Sequence, residues 1–173
     1  MLPAPSASAR SSPPTHRPAA AGVVCRAVAS RAELRLHLRI RRQVFVGEQA
    51  IFARSDRDSR DDDEATVHVL GFCDGMASGT VRLYPLDGEG VTWQGDRLAV
   101  LPPFRTSGVG RPLVRFAVRT AAQRGGRVMH AHVQVPNVRF FQRLGWTAAG
   151  DIEEYCGVPH QPMQIDLHAH PDG

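Results

Sequence analysis

The chain has 173 residues, 42% hydrophobic and 22% charged, with 21 Lys and Arg against 17 Asp and Glu for a formal net charge of +4. That length suits a single domain able to bury a core without disulfides or metal, and no apolar run approaches the ~20 residues that cross a bilayer, which argues against a membrane protein. Cys25, Cys73 and Cys156 form no close pair and no metal-type spacing, so they read as reduced thiols in a cytoplasmic protein, while the excess of arginine favours anionic partners such as phosphorylated cofactors.

Residues 1–21 are rich in Pro, Ala and Ser, carry scattered Arg and lack acids. They read as a disordered tail. The composition also suits an organelle transit peptide, but five prolines oppose the amphipathic helix such a peptide needs. Residues 169–173 are a second short tail, leaving one domain over 22–168. Val23 to Val28 predicts a strand. Ser30 with Glu33 forms a capping-box pair, so a helix begins at Arg31 and continues to about Glu48, with Leu34, Leu38 and Phe45 on one stripe. Residues 53–64 are acid-rich with three interspersed arginines. They suit either an acidic rim that attracts a cationic substrate or a solvated mobile loop.

A meander follows. Ala65 to Phe72 leads into Asp74-Gly75, a hairpin signal. Gly79 to Tyr84 returns, and Asp87 to Gly90 turns into a third strand, Val91 to Val100, with a bulge expected at Gly95. A helix is predicted from about Gly108 to Arg124, with Leu113, Phe116, Ala117 and Thr120 on one face and Gly125-Gly126 closing it. Val128 to Val133 is a buried strand, Asn137 to Leu144 a short helix, and Trp146 to Ala149 and Met163 to Leu167 are final strands. This order gives an α/β sheet of mixed direction with helices on both faces.

The chemistry concentrates where the strand ending at Val100 feeds Arg105-Thr106-Ser107-Gly108-Val109-Gly110. The first N–H groups of a helix lack intrahelical partners, and aligned peptide dipoles add about half a positive charge there. Glycines 108 and 110 allow an anion close to the backbone, and Arg105 adds a charge-assisted donor. The pattern is not a P-loop, since no Lys-Ser/Thr follows, and it lacks the third glycine of a dinucleotide fingerprint.

Arg-x-x-Gly-x-Gly between an apolar strand and an amphipathic helix resembles the acyl-CoA signature of the GNAT acyltransferases. Asn137 to Trp146, a helix ending in Leu-Gly-aromatic, resembles their second hallmark. Arg42-Gln43-Val44-Phe45-Val46-Gly47-Glu48-Gln49 and Gly157-Val158-Pro159-His160 resemble motifs of one branch, nearest a small subgroup encoded beside nitrilase-type enzymes. The resemblance spans about 23–167. It implies the GNAT fold: a mostly antiparallel central sheet of six or seven strands, splayed between its fourth and fifth strands, with helices on both faces.

The resemblance also implies acetyl-CoA as co-substrate. Its pantetheine arm would lie along Leu98, Ala99 and Val100, its diphosphate on Arg105 through Gly110, and its thioester beside Asn137, Phe140 and Phe141. Many relatives carry a tyrosine as general acid where this chain has Phe141. Glu48 and His160 are the candidate general bases, Glu48 on the expectation that desolvation raises its pKa; as alternatives, Glu48 is a helix-end surface carboxylate and His160 a structural turn histidine. His130 and His132 share a strand face without a third metal ligand. The leading function is direct transfer of an acyl group to a small-molecule amine, with no nucleic-acid partner and a homodimer left open. A CoA-binding sensor without turnover is the second reading, and a basic nucleic-acid-binding protein the third.

Overall fold

The computed structural model describes residues 22–169. The two tails read from the sequence lie outside the described residues, except for position 169. Eight strands form one sheet, in the order β1-β2-β3-β4-β5-β8-β6, with β7 paired to β8. In the chain they are β1 Val23–Ala27, β2 Val67–Cys73, β3 Met76–Pro85, β4 Thr92–Val100, β5 Val128–Gln134, β6 Thr147–Ala148, β7 Glu153–Tyr155 and β8 Val158–Asp166. The α-helices are α1 Arg31–Arg42, α2 Gly110–Gln123 and α3 Val138–Gln142. All strand pairs are antiparallel except β4 with β5. The sheet is thus the mixed, mostly antiparallel one expected, with the short β7 as its eighth strand.

Helix α1 starts as its sequence dictates. Ser30 accepts from the Glu33 N–H at 3.2 Å, while Glu33 reaches back to the Ala29 N–H at 2.8 Å, satisfying one first-turn donor and the donor just ahead of the cap. The helix does not run evenly to Glu48: Gln43–Glu48 widens into a π-helical turn. Ile40, Val44 and Phe45 pack with Leu70 and Ala99 on one face of the sheet. The opposite face carries the larger core, where Leu113, Val114, Ala117 and Ala121 of α2 meet Val69, Val81, Trp93 and Met129. Trp93 and Trp146 are both packing residues, each 3% exposed. At about 25 cal/mol per Å² of apolar surface, these two layers supply most of the drive to fold.

The bulge in β4 lies elsewhere than at Gly95. Thr80 pairs with Ala99 and Arg82 with Asp96, so Val81 opposes two residues, Arg97 and Leu98. Arg97 takes the left-handed conformation there, at φ 52°. Gly95 answers a packing demand instead: a Cβ at that position would stand 2.6 Å from Met129 Cε. β8 begins five residues earlier than the sequence suggested, at Val158, because its first residues pair with β7 and the stretch from His160 to Asp166 pairs with β5.

Residues 53–64 are largely exposed, as a solvated loop would be, but two of their acids, Asp56 and Asp61, turn inward. A 3-10 turn at Ser59–Asp62 folds Asp61 inward. Asp56 and Asp61 are buried against Arg41 of α1, Asp61 also meets Arg82 of β3, and the exposed Asp58 reaches Arg82 from the surface. Arg97 pairs with Asp56 and Asp58, and Arg82 holds Asp96 through two bonds of 2.7 and 2.6 Å. Three arginines and four aspartates thus tie the segment onto the sheet. Buried charges require partners of this kind, since an unpaired one costs several kcal/mol.

Candidate acyl-transfer site

β4 and β5 pair only from Thr92–Val128 to Gln94–His130 and then diverge. Past that point the edge of β4 facing β5 has no strand partner. The Leu101 N–H donates to Ser78 O at 2.9 Å. Strand alternation then turns the polar groups of Ala99 toward β3, and those of Val100 and Leu98 toward the opening. Val100 O already accepts from Arg105 Nε at 3.2 Å. The divergence therefore leaves a strip of backbone able to pair with an extended ligand as an added strand would.

A cavity of about 380 Å³ runs through this opening. Register gives its two sides different chemistry. On the α2 side it meets Leu98, Val114, Ala117, Met129 and Phe141, all apolar. On the α1 side it meets Tyr84, Gln94, Asp96, His132, Tyr155 and His160. Of the residues singled out from the sequence, Leu98, Asn137, Phe141 and His160 line this cavity. Phe140 stacks edge-to-face on Phe141 at 5.5 Å, and Phe141 on Trp146 at 5.3 Å.

The anion loop lies beyond the end of β4. Residues Pro102–Ser107, with Arg105, Thr106 and Ser107, form a 3-10 turn, and Gly108 follows at φ 79°, the left-handed region that glycine adopts without strain. Val109 is fully buried and anchors the loop in the core. Among the described residues, neither the Gly108 nor the Val109 N–H has a hydrogen-bond acceptor. No side chain caps α2, and its first turn holds no acid. A helix of 14 residues therefore presents free donors and the positive end of its dipole at one spot. Gly110 borders Phe140 and Val100: a Cβ there would lie 3.6 and 3.9 Å from their side chains. The loop, the β4 edge and α3 thus converge.

The two candidate bases differ sharply. Glu48 is exposed and bonds Arg105 at 2.6 Å, and that bond holds its carboxyl below the usual range. The expected upward shift by desolvation is therefore corrected, because its charge is stabilised where it sits. Arg105, read as a diphosphate ligand, holds Glu48 and the Val100 carbonyl in this structure. His160 is 6% exposed, and its Nδ1 lies 2.7 Å from Val158 O. A carbonyl only accepts, so Nδ1 carries the proton and Nε2 is the basic nitrogen. Tyr155 packs edge-on against the ring at 5.5 Å.

Sequence reading missed Tyr84, Gln94, Asp96 and Arg97 as cavity wall. The alternation of Gln94 and Asp96 on one face of β4 was the available signal. His132 Nε2 contacts Glu153 at 2.9 Å, so His132 is engaged at the sheet surface. Arg111, Arg115 and Arg119 follow one another along the outer side of α2, where Arg111 and Arg119 are exposed and Arg115 is half-buried.

A family model described as the acetyltransferase (GNAT) family matches residues 35–146. The uncharacterized protein YyaT of Bacillus subtilis is 27% identical over 141 residues, covering 81% of this chain and 93% of that protein. Among solved structures, Escherichia coli ElaA superposes with a TM-score of 0.73 at 22% identity, over 84% of this chain and 99% of its own. Salmonella typhimurium yncA, solved with its cofactor acetyl-CoA, gives 0.66 at 20% identity, over 87% and 96%. No described helix is long and apolar enough to cross a membrane.

Proposed function

Since the chain belongs to the GNAT family of acetyltransferases, we propose that it is an acyl-CoA-dependent N-acyltransferase that passes an acetyl group directly to a small-molecule amine. The observation that carries this reading is the pair of free amides at Gly108 and Val109, set at an uncapped helix start beside an open β4 edge. The diphosphate of acetyl-CoA accepts from those amides. The pantetheine arm pairs with Leu98 and Val100, and the thioester lies in the opening near Asn137 and Phe141.

The amine enters from the α1 side. A primary amine with a pKa near 10.4 is only about 0.04% neutral at pH 7, so removing its proton is the larger hurdle. His160 Nε2 first takes that proton, which frees the nitrogen lone pair to bond to the thioester carbon, and the second N–H proton passes to the departing thiolate or to water as the amide forms. The backbone N–H groups of the open β4 edge steady the oxyanion. The C–S bond then breaks and CoA leaves as thiolate; a thiol of pKa about 8.5 needs little help, which suits a site with Phe141 and no hydroxyl at that position. Both reactants are held together, and no nucleophilic side chain is acylated.

The test is thiol release from acetyl-CoA across a panel of amines. Wild-type protein turns over. His160→Gln loses about 10²–10⁴-fold in kcat, the usual worth of a positioned base, with acetyl-CoA affinity unchanged. Glu48→Gln keeps the acidic limb of the pH profile, where loss of a general base would show. Tight CoA binding with no turnover across the whole panel would instead favour a sensor module.

A further inference from the structure

The acceptor can be narrowed, on the transferase reading above, by asking which polar atoms the cavity's α1 side offers. Gln94 is 6% exposed and lines the cavity. Its Nε2 donates to Gly95 O at 3.1 Å. A carbonyl only accepts, so that contact fixes which end of the amide is nitrogen. Among the described residues no donor meets Gln94 Oε1. His160 offers Nε2, a lone pair, for the same reason. Asp96 offers carboxylate oxygens that Arg82 and Tyr84 occupy only in part, with Tyr84 Oη at 3.3 Å. All three groups accept hydrogen bonds.

The charges agree. Arg97 lines the same wall, but its guanidinium is drawn onto Asp56 and Asp58 and lies 5.0 Å over the Phe52 ring. The cluster behind it holds three arginines against four aspartates, one negative charge in excess. Of the remaining α1-side wall, Phe45, Ile51, Phe52 and Leu86 are apolar, and Gln134 already gives its Nε2 to Gln49 Oε1.

We propose that the acceptor is a primary amine on an apolar or aromatic skeleton with no carboxylate beside the nitrogen, and that Gln94 orients its N–H. A primary ammonium brings three donors and a positive charge to a wall of acceptors. An amino acid would bring a carboxylate to the same wall with no free cation to receive it, and burying an unpaired charge is costly.

The experiment compares matched pairs: phenethylamine with phenylalanine, and tryptamine with tryptophan, with acetyl-CoA as donor. The amines should exceed the amino acids at least about tenfold in kcat/KM, the loss expected when one charged group goes unpaired. Gln94→Met should raise KM for phenethylamine about tenfold, leaving the acetyl-CoA KM and melting temperature unchanged. Equal or better use of the amino acids overturns the proposal, as does a Gln94→Met enzyme with wild-type KM. The wild-type comparison needs no variant to fold. Calorimetric titration of both compounds into CoA-saturated protein separates the two readings. Binding of phenethylamine but not phenylalanine, without acyl transfer, supports this pocket assignment and sinks the transferase reading. Binding of neither, with no transfer, sinks both.

Discussion

Gly110 is where a single methyl group separates folding from binding. Its φ lies outside the left-handed region, and an added Cβ meets only ordinary contacts at 3.6 Å or more. Alanine at this first helical position should leave stability unchanged or raise it by about 0.5–1 kcal/mol, the helix preference of Ala over Gly. The same methyl stands beside the free amides. Gly110→Ala should therefore weaken acetyl-CoA at least about tenfold, a change of ~1.4 kcal/mol, while the urea midpoint holds or rises; titration and denaturation on one preparation check both. The loop's place between β4 and α2 was legible in the sequence because it needs local spacing only. The state of Glu48 was not, because its partner Arg105 is 57 residues away. Gln94 escaped notice for a similar reason: only the divergence of β4 from β5 turns a mid-strand glutamine into cavity wall.

Helix α1 docks on the sheet through polar groups as well as apolar ones, and this gives it a pH dependence. His37 is fully buried, with Nδ1 3.1 Å from Val69 O. Its Nε2 lies 3.4 Å from His68 Nδ1. Burial first, and then the Arg41 and His68 charges, push the His37 pKa down to about 3. Burial also lowers His68. Groups facing this pair include Arg41 on α1, Arg82 on β3 and Asp61, whose own carboxyl is held low: burial would raise it, but Arg41 and Arg82 outweigh that. A histidine depressed in the folded state favours the native protein fully above its unfolded pKa of about 6.5, and that advantage is lost as pH falls toward 3. His37 alone should cost about 2 kcal/mol between pH 7.5 and 5. Urea denaturation at the two pH values measures it, and His37→Gln should flatten the difference. Periodicity gave the elements their order and approximate bounds. It did not reveal the π-helical turn, the bulge at Arg97 or the folding of residues 53–64, since each depends on ion pairs and packing between distant segments. The inward turn of Asp56 and Asp61 was not legible because their partners Arg41, Arg82 and Arg97 are scattered through α1, β3 and β4.

At the scale of the whole molecule, one topological fact organises the rest. β4 and β5 run parallel for three residue pairs and then part, opening a passage between an apolar side under α2 and a polar side under α1. The sequence implied this splay only through resemblance, because divergence of two strands has no signature in residue pattern. The account depends on acyl-CoA entering from the α2 end with its diphosphate on the free amides. Calorimetric titration of CoA and of pantetheine, the same thiol arm without the nucleotide and diphosphate, tests that most directly. CoA should bind, and pantetheine should bind at least about 100-fold more weakly, since several charge-assisted bonds are lost together. Equal affinity for the two, or no binding of CoA, would contradict it.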